Sequence, residues 1–128
     1  MHCIFCHDIP AEQMLMTSEH FYVVFDIDPI QVGHLLIIAK NHVIDVRAVT
    51  AEQALELLDI QTRILTIFEQ HFSIPSATIV QNNGPIMDEG THFHVHVIPR
   101  YIDDAFWTSQ RVKQHTLSQQ QLKRAFTE

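Results

Sequence analysis

A chain of 128 residues, 46% hydrophobic and 18% charged, has enough apolar material for one core and is too short for two ordinary domains, so one domain spanning 1–128 is expected. Its formal charge of −7 excludes a general nucleic-acid binder, which needs a basic surface, but leaves room for a small anion held by a local nest of donors. No apolar run approaches the ~18–20 residues of a membrane span. Met1-His2-Cys3-Ile4-Phe5-Cys6 lacks the basic and apolar regions of a secretory leader, so a cytoplasmic protein without a membrane partner is expected.

In chain order, residues 1–10 form a cysteine-bearing arm closed by Pro10. Phe21 to Phe25 is rich in β-formers and predicts a strand, ended by the turn Asp26-Ile27-Asp28-Pro29. Residues 33–39 predict a second, deeply buried strand, and the pair suggests a hairpin. Thr50 with Gln53 three residues on is a capping box that opens a helix near residue 51. Its apolar stripe is Ala54, Leu57, Leu58, Ile64, Leu65, Phe68 and Phe72, and Ile74-Pro75 closes it. Residues 77–81 predict a third core strand, followed by the loop Asn82-Asn83-Gly84-Pro85. Residues 92–98 predict a fourth, which Pro99 ends because it has no N–H to donate. Ser118 and Gln121 form another capping box, opening a short C-terminal helix. One long helix on an antiparallel sheet is an α+β domain.

Ten histidines are the compositional outlier. Three of them, His92, His94 and His96, alternate with Phe93, Val95 and Val97, so in a strand they share one face while the apolar residues bury the other. At ~3.3 Å rise per residue the outer pair stands roughly 13 Å apart. One metal with bonds of ~2.0–2.1 Å cannot hold all three, so they divide the labour. A His-rich exposed face, a His-x-His metal pair and a histidine nucleophile are the three readings. The last is favoured, because a neutral imidazole with one nitrogen fixed as donor and the other free is a good nucleophile near neutrality.

The run His92-Phe93-His94-Val95-His96-Val97-Ile98 resembles the histidine-triad (HIT) superfamily of nucleotide hydrolases and transferases at every position of its signature. The likeness extends to Cys3-Ile4-Phe5-Cys6, to Val24 through Pro29, to Gly33 through His42, and to Asn82-Asn83-Gly84. It implies a HIT-like fold with an antiparallel sheet of about five strands, a small nucleotide as substrate, and a homodimer with a shared sheet. It further implies that His94 attacks the α-phosphorus to form a nucleotidyl-histidine, while His96 and His34 contact phosphate oxygens and assist proton transfer. Asn82 would bind phosphate, Asp26 would accept both ribose hydroxyls, and Ile27 would face the base. On local chemistry alone, His34 reads as a core histidine, Asp26 as a turn former and Asn82 as part of a tight turn.

One departure stands out. The commonest family pattern places Gly-Gln before the triad, with the glutamine on the leaving group; here the segment is Met87-Asp88-Glu89-Gly90-Thr91. The Thr91 hydroxyl or a backbone N–H is the expected substitute. The pair Cys3-x-x-Cys6 has as alternatives a disulfide, a redox pair and half of a zinc site. Resemblance to superfamily members with this pair implies structural Zn²⁺ on Cys3, Cys6, His42 and His92, a closed four-ligand set. Tyr101 to Trp107 is expected to cap the pocket, to pack across a dimer, or to supply a core tryptophan. A non-catalytic nucleotide-binding module and a zinc hydrolase using the His-rich strand as its metal site are the rival functions.

Overall fold

Period-two alternation in the central strands sorts their side chains onto two faces of one sheet. A computed structural model describes residues 2–127. In chain order it contains α1 (Ile4–His7), β1 (Met16–Thr17), β2 (Phe21–Phe25), β3 (Leu35–Ala39), α2 (Ala51–Phe72), β4 (Ser76–Gln81), β5 (His94–Arg100) and α3 (Gln119–Ala125). The five strands form one antiparallel sheet in the order β1-β2-β3-β5-β4. The α+β class, the hairpin of β2 and β3, the long helix and the short C-terminal helix are as expected. Among the described residues no helix is long and apolar enough to cross a membrane.

On one face Phe21, Val23, Leu35, Ile37, Val95 and Val97 pack against Leu57, Ile60, Ile64 and Phe68 of α2. The helix starts where the sequence places it: Thr50 Oγ1 accepts from Gln53 N, and the Gln53 side chain accepts from Thr50 N. Ser73, in the left-handed conformation, ends it one residue before Ile74-Pro75. Glu56 anchors it to the sheet by accepting from His20 N at 2.7 Å and from the His20 ring at 2.8 Å. The buried stripe includes Ile60, absent from the expected one, and leaves Leu58 and Phe72 exposed. On the other face Tyr22, Val24, Leu36 and Ile38 are covered by Phe5, Ile9 and Met14 of the N-terminal arm.

Four expectations need correction. Residues 77–81 are not a core strand: β4 is the sheet edge, with Ile79 and Val80 exposed. Pro99 does not end β5, which runs on to Arg100 with Pro99 opposite Ala77. Past Val97 the strand no longer has β3 beside it, and a residue without an N–H is tolerated on such an edge. The strands predicted at 33–39 and 92–98 begin at Leu35 and His94, so His34 and His92 sit at strand entrances. Trp107 is not a core tryptophan; it is exposed.

Candidate active site and metal centre

The histidine face is assembled at the middle of the sheet. β5 lies between β3 and β4, with His94 opposite Ile38 and His96 opposite both Leu36 and Val80. The rings of His94 and His96 are 4.9 Å apart, centroid to centroid, and Phe5 stands edge-on to His94 at 5.0 Å and to His92 at 5.6 Å.

Hydrogen bonds to groups of known polarity settle which nitrogen carries each proton. The Nδ1 of His94 lies 2.7 Å from the carbonyl of His92, which only accepts, so Nδ1 carries the hydrogen and Nε2 keeps its lone pair. The Nδ1 of His34 receives the Ile30 N–H at 3.0 Å, so the hydrogen of a neutral His34 is on Nε2. That Nε2–H points at His96 Nδ1, 2.9 Å away, with Asp26 Oδ2 at 3.3 Å. His96 therefore accepts at Nδ1 and carries its hydrogen on Nε2. A chain of donors runs from a backbone amide through His34 to His96, beside a nucleophilic nitrogen on His94.

Burial lowers the pKa of His34, against an opposing pull from Asp26. His96 falls to about 4, through burial first and then the neighbouring histidines, with Asp26 and Asp88 working against the fall. Both rings are neutral at pH 7. Asp26, His34 and His96 are close enough to hold a cation. A metal-bound histidine, however, normally donates its other N–H outward, whereas His34 Nδ1 receives one. These three form a hydrogen-bond chain.

The second cluster has the opposite character. Cys3 Sγ and Cys6 Sγ lie 3.3 and 3.5 Å from His92 Nδ1, and Cys6 Sγ lies 3.3 Å from His42 Nδ1. Tetrahedral zinc with Zn–S of ~2.3 Å and Zn–N of ~2.0–2.1 Å requires S to N edges of about 3.5 Å. His92 Nε2 donates to the Ala39 carbonyl, leaving Nδ1 free for a metal, which is the usual support of a ligating imidazole. Burial lowers the pKa of His92 and keeps it neutral. The donor set fits zinc, and no position is left open for a substrate. The arm is further held by Ile4 N donating to the Gly90 carbonyl at 2.7 Å. Gly90 adopts φ +80°, and a Cβ there would sit 3.3 Å from Ile4.

The other expected site residues lie around these two clusters. Extending the β4–β5 register by one residue sets Asn82 opposite His94, and its loop is tied down by Asn83 Oδ1 accepting from Val46 N at 2.9 Å. Ile27 is fully exposed beside Asp26. Asp26 Oδ1 accepts from Asp28 N, and its Oδ2 faces the two histidines. Thr91 donates both its N–H and its hydroxyl to the Asp88 carbonyl, so neither donor is free for a leaving group.

A HIT domain model matches residues 9–103. The chain belongs to the HIT domain family. It is 32% identical over 104 residues to Protein hit of Bacillus subtilis, covering 77% of this chain and 71% of that one. It is 31% identical to adenosine 5'-monophosphoramidase HNT1 of Saccharomyces cerevisiae, covering 77% of this chain and 62% of the yeast protein. In structure it is similar to a HIT family member from Bacillus subtilis, with a TM-score of 0.74, 28% identity, and coverage of 99% and 94% of the two chains. It is also similar to a Zn-bound histidine triad family protein from Mycobacterium smegmatis, with a TM-score of 0.69, 28% identity, and coverage of 88% and 84%.

Two participants in this HIT site escaped the sequence reading. Phe5 is signalled only by lying between two cysteines whose ligation would bring it over the triad. The Ile30 N–H carries no side-chain signal.

Proposed function

We propose that this HIT protein is a nucleotide hydrolase or transferase that cleaves a phosphoanhydride or phosphoramidate at the α-phosphate, through a nucleotidyl-histidine on His94. The observation that carries this reading is the fixed tautomer: His94 Nδ1–H is held by the His92 carbonyl, leaving Nε2 free beside the donor chain. Nε2 attacks phosphorus, the bond to the leaving group breaks, and water later releases the mononucleotide. His96 Nε2–H donates to the phosphoryl oxygens, His34 holds His96 in that tautomer, and Asn82 reaches phosphate from the end of β4. Ile27 flanks the base. Asp26 serves the histidine pair first; accepting the ribose hydroxyls requires it to give up that contact.

An adenosine phosphoramidate is the first substrate to assay, and a diadenosine polyphosphate the second. The yeast relative's activity supports the former. So do Asp88 and Glu89, whose charges suit an amine leaving group better than a polyanionic one. Zinc on Cys3, Cys6, His42 and His92 plays a structural part, clamping the arm to the sheet; the chemistry it supplies is cross-linking. The exposed apolar β4 edge supports a homodimer that shares its sheet, and cysteines committed to zinc in place of a disulfide fit a reducing cytoplasm.

The test is His94→Ala with AMP release as the readout. A fall of at least about a thousandfold is expected for loss of a covalent nucleophile. A rate within about tenfold of wild type overturns the mechanism. Alkaline denaturation, which spares a phosphorus–nitrogen bond, should trap nucleotide on Nε2 of His94; a protein that binds nucleotide but never becomes labelled is a binding module.

A further inference from the structure

The sheet brings Asn82 beside the triad but does not aim it. The β4–β5 ladder pairs Gln81 with Val95 and ends there, one residue short of Asn82. Beyond that point the chain passes through Asn83 and Gly84 at the edge of the sheet. Gly84 turns at φ +86°, and a Cβ placed there would meet nothing within 4 Å. Inside the loop the hold is slight: Met87 N donates to the Gly84 carbonyl at 3.3 Å. A glycine turn in open space with one long hydrogen bond has many conformations open to it. A side chain on such a segment is aimed to within about 0.5 Å only when something outside the segment fixes it.

That fixing comes from the segment between β3 and α2. Asn83 Oδ1 accepts from Val46 N at 2.9 Å. The preceding residue, Asp45, is buried, and its carboxylate caps the short turn Val46–Ala48 by accepting from Arg47 N and Arg47 Nε, both at 3.1 Å. The Gly84 N–H adds to the pull that holds this carboxyl down. Both residues that follow Asn82 are thus tied to Asp45 and Val46. The same segment is bolted to the active strand, because Phe93 N donates to the Val43 carbonyl at 2.7 Å. Phe93 is wholly buried and immediately precedes His94.

These connections close a ring. From His94 the chain leads back to Phe93, across a hydrogen bond to Val43, and along to Asp45 and Val46. It crosses again to Asn83 and returns to Asn82, opposite His94. The two ends of the ring are the proposed nucleophile and the proposed phosphate-binding amide. Their separation decides whether a phosphoryl group held by one is in reach of the other, and displacement of a reacting group by ~1 Å costs about a hundredfold in rate. Asn83 is the one side chain of the 82–84 loop whose oxygen reaches across to this segment.

We propose that Asn83, with Asp45 behind it, is a positioning residue that aims the Asn82 side chain at the phosphate presented to His94. This rests on the proposed function and adds to it a residue that touches no substrate. The test is a double-mutant cycle of Asn82→Ala and Asn83→Ala, reading kcat and KM for AMP release from an adenosine phosphoramidate. Asn83 is exposed, so its truncation leaves the core intact. Asn82→Ala is expected to lower kcat about a hundredfold, the scale for loss of one donor to a transition-state oxygen. Asn83→Ala should lower it about tenfold, part of the cost of a full ångström of misplacement, with KM changed by less than about threefold. The double variant should match Asn82→Ala within about threefold, because aim has no value once the aimed side chain is gone. A double variant slower by the product of the two losses, Asn83→Ala at the wild-type rate, or a loss that falls on KM overturns the proposal. None of these touches the nucleotidyl-histidine, which stands or falls with His94→Ala. Asn82→Ala at the wild-type rate takes Asn82 off the phosphate and overturns the positioning role with it.

Discussion

Replacing Asp26 by Asn is the most discriminating single change in the site, because it keeps the side chain's shape and its acceptor for Asp28 N while deleting one charge. In the protein Asp26 Oδ2 lies 3.3 Å from His34 Nε2 and 3.7 Å from His96 Nδ1, with Asp26 and His96 side chains 15% and 19% exposed. A unit charge at that separation contributes about 5 kcal/mol at an effective dielectric of about 20. Carboxylates this close move a neighbour's pKa by about 1–3 pH units in practice, and partial solvent access favours the lower half of that range. His96 titrates at about 4 with Asp26 holding it up, so Asp26→Asn lowers it further. Activity that needs neutral His96 is lost as pH falls through this value. The acid limb of the kcat/KM profile, which reports the free enzyme, should therefore move down by about one to two pH units. At pH 7 His96 is neutral with either side chain, so kcat and KM should each change by less than about tenfold. The assay is AMP release from an adenosine phosphoramidate and its 2′-deoxy counterpart between pH 3.5 and 8. An unmoved acid limb, with the whole loss in KM and no loss on the deoxy substrate, would show that Asp26 clamps ribose instead and refute the argument.

His42→Ala should abolish stoichiometric zinc by elemental analysis and lower the melting temperature by at least about 5 °C, while leaving measurable turnover. Complete loss of turnover in a folded His42→Ala protein would favour a catalytic metal. Asp45, whose carboxyl is held down at about 2 chiefly by its hydrogen bonds with Arg47, contributes stability that is present above about pH 4 and lost as pH falls toward 2. The melting temperature of wild type should fall more steeply over that window than that of Asp45→Asn; parallel curves would contradict the assignment. Ile60→Ala should cost about 2–5 kcal/mol in urea unfolding, whereas Leu58→Ala, at an exposed position of the same helix, should stay within about 0.5 kcal/mol. Equal costs would mean that the helix faces are misassigned.

The parts of this fold legible beforehand are those with a local cause. The Thr50–Gln53 box, the β-rich runs and the period-two histidines each depend on neighbours in sequence, and each is found in place. What was hidden depends on partners far along the chain. β1 is two residues long and exists because Leu15 to Thr17 lies beside β2. β4 has a core strand's composition but an edge strand's position, since strand order does not follow from any one strand's residues. Ile60 has no distinguishing signal in the sequence, because Leu58 and Leu65 offer an equally apolar alternative stripe, and only the sheet decides between them. In the site, residue identities were readable but orientations were not. Thr91 is consumed by its own loop, and Asp26 turns inward.

The histidine strand shows why orientation matters more than the motif. His92 and His94 stand two residues apart in the same extended run and are asked to do different work, and their backbone partners arrange it. The Ala39 carbonyl takes the Nε2 proton of His92, freeing Nδ1 toward the cysteines. The His92 carbonyl takes the Nδ1 proton of His94, freeing Nε2 toward the donor chain. Identical side chains thus present opposite nitrogens. His92 links the two centres directly, because the group that orients the proposed nucleophile is the backbone of a proposed zinc ligand. Zinc loss should accordingly reach the chemistry through the pose of His94, as a partial loss of kcat, with KM for nucleotide little changed.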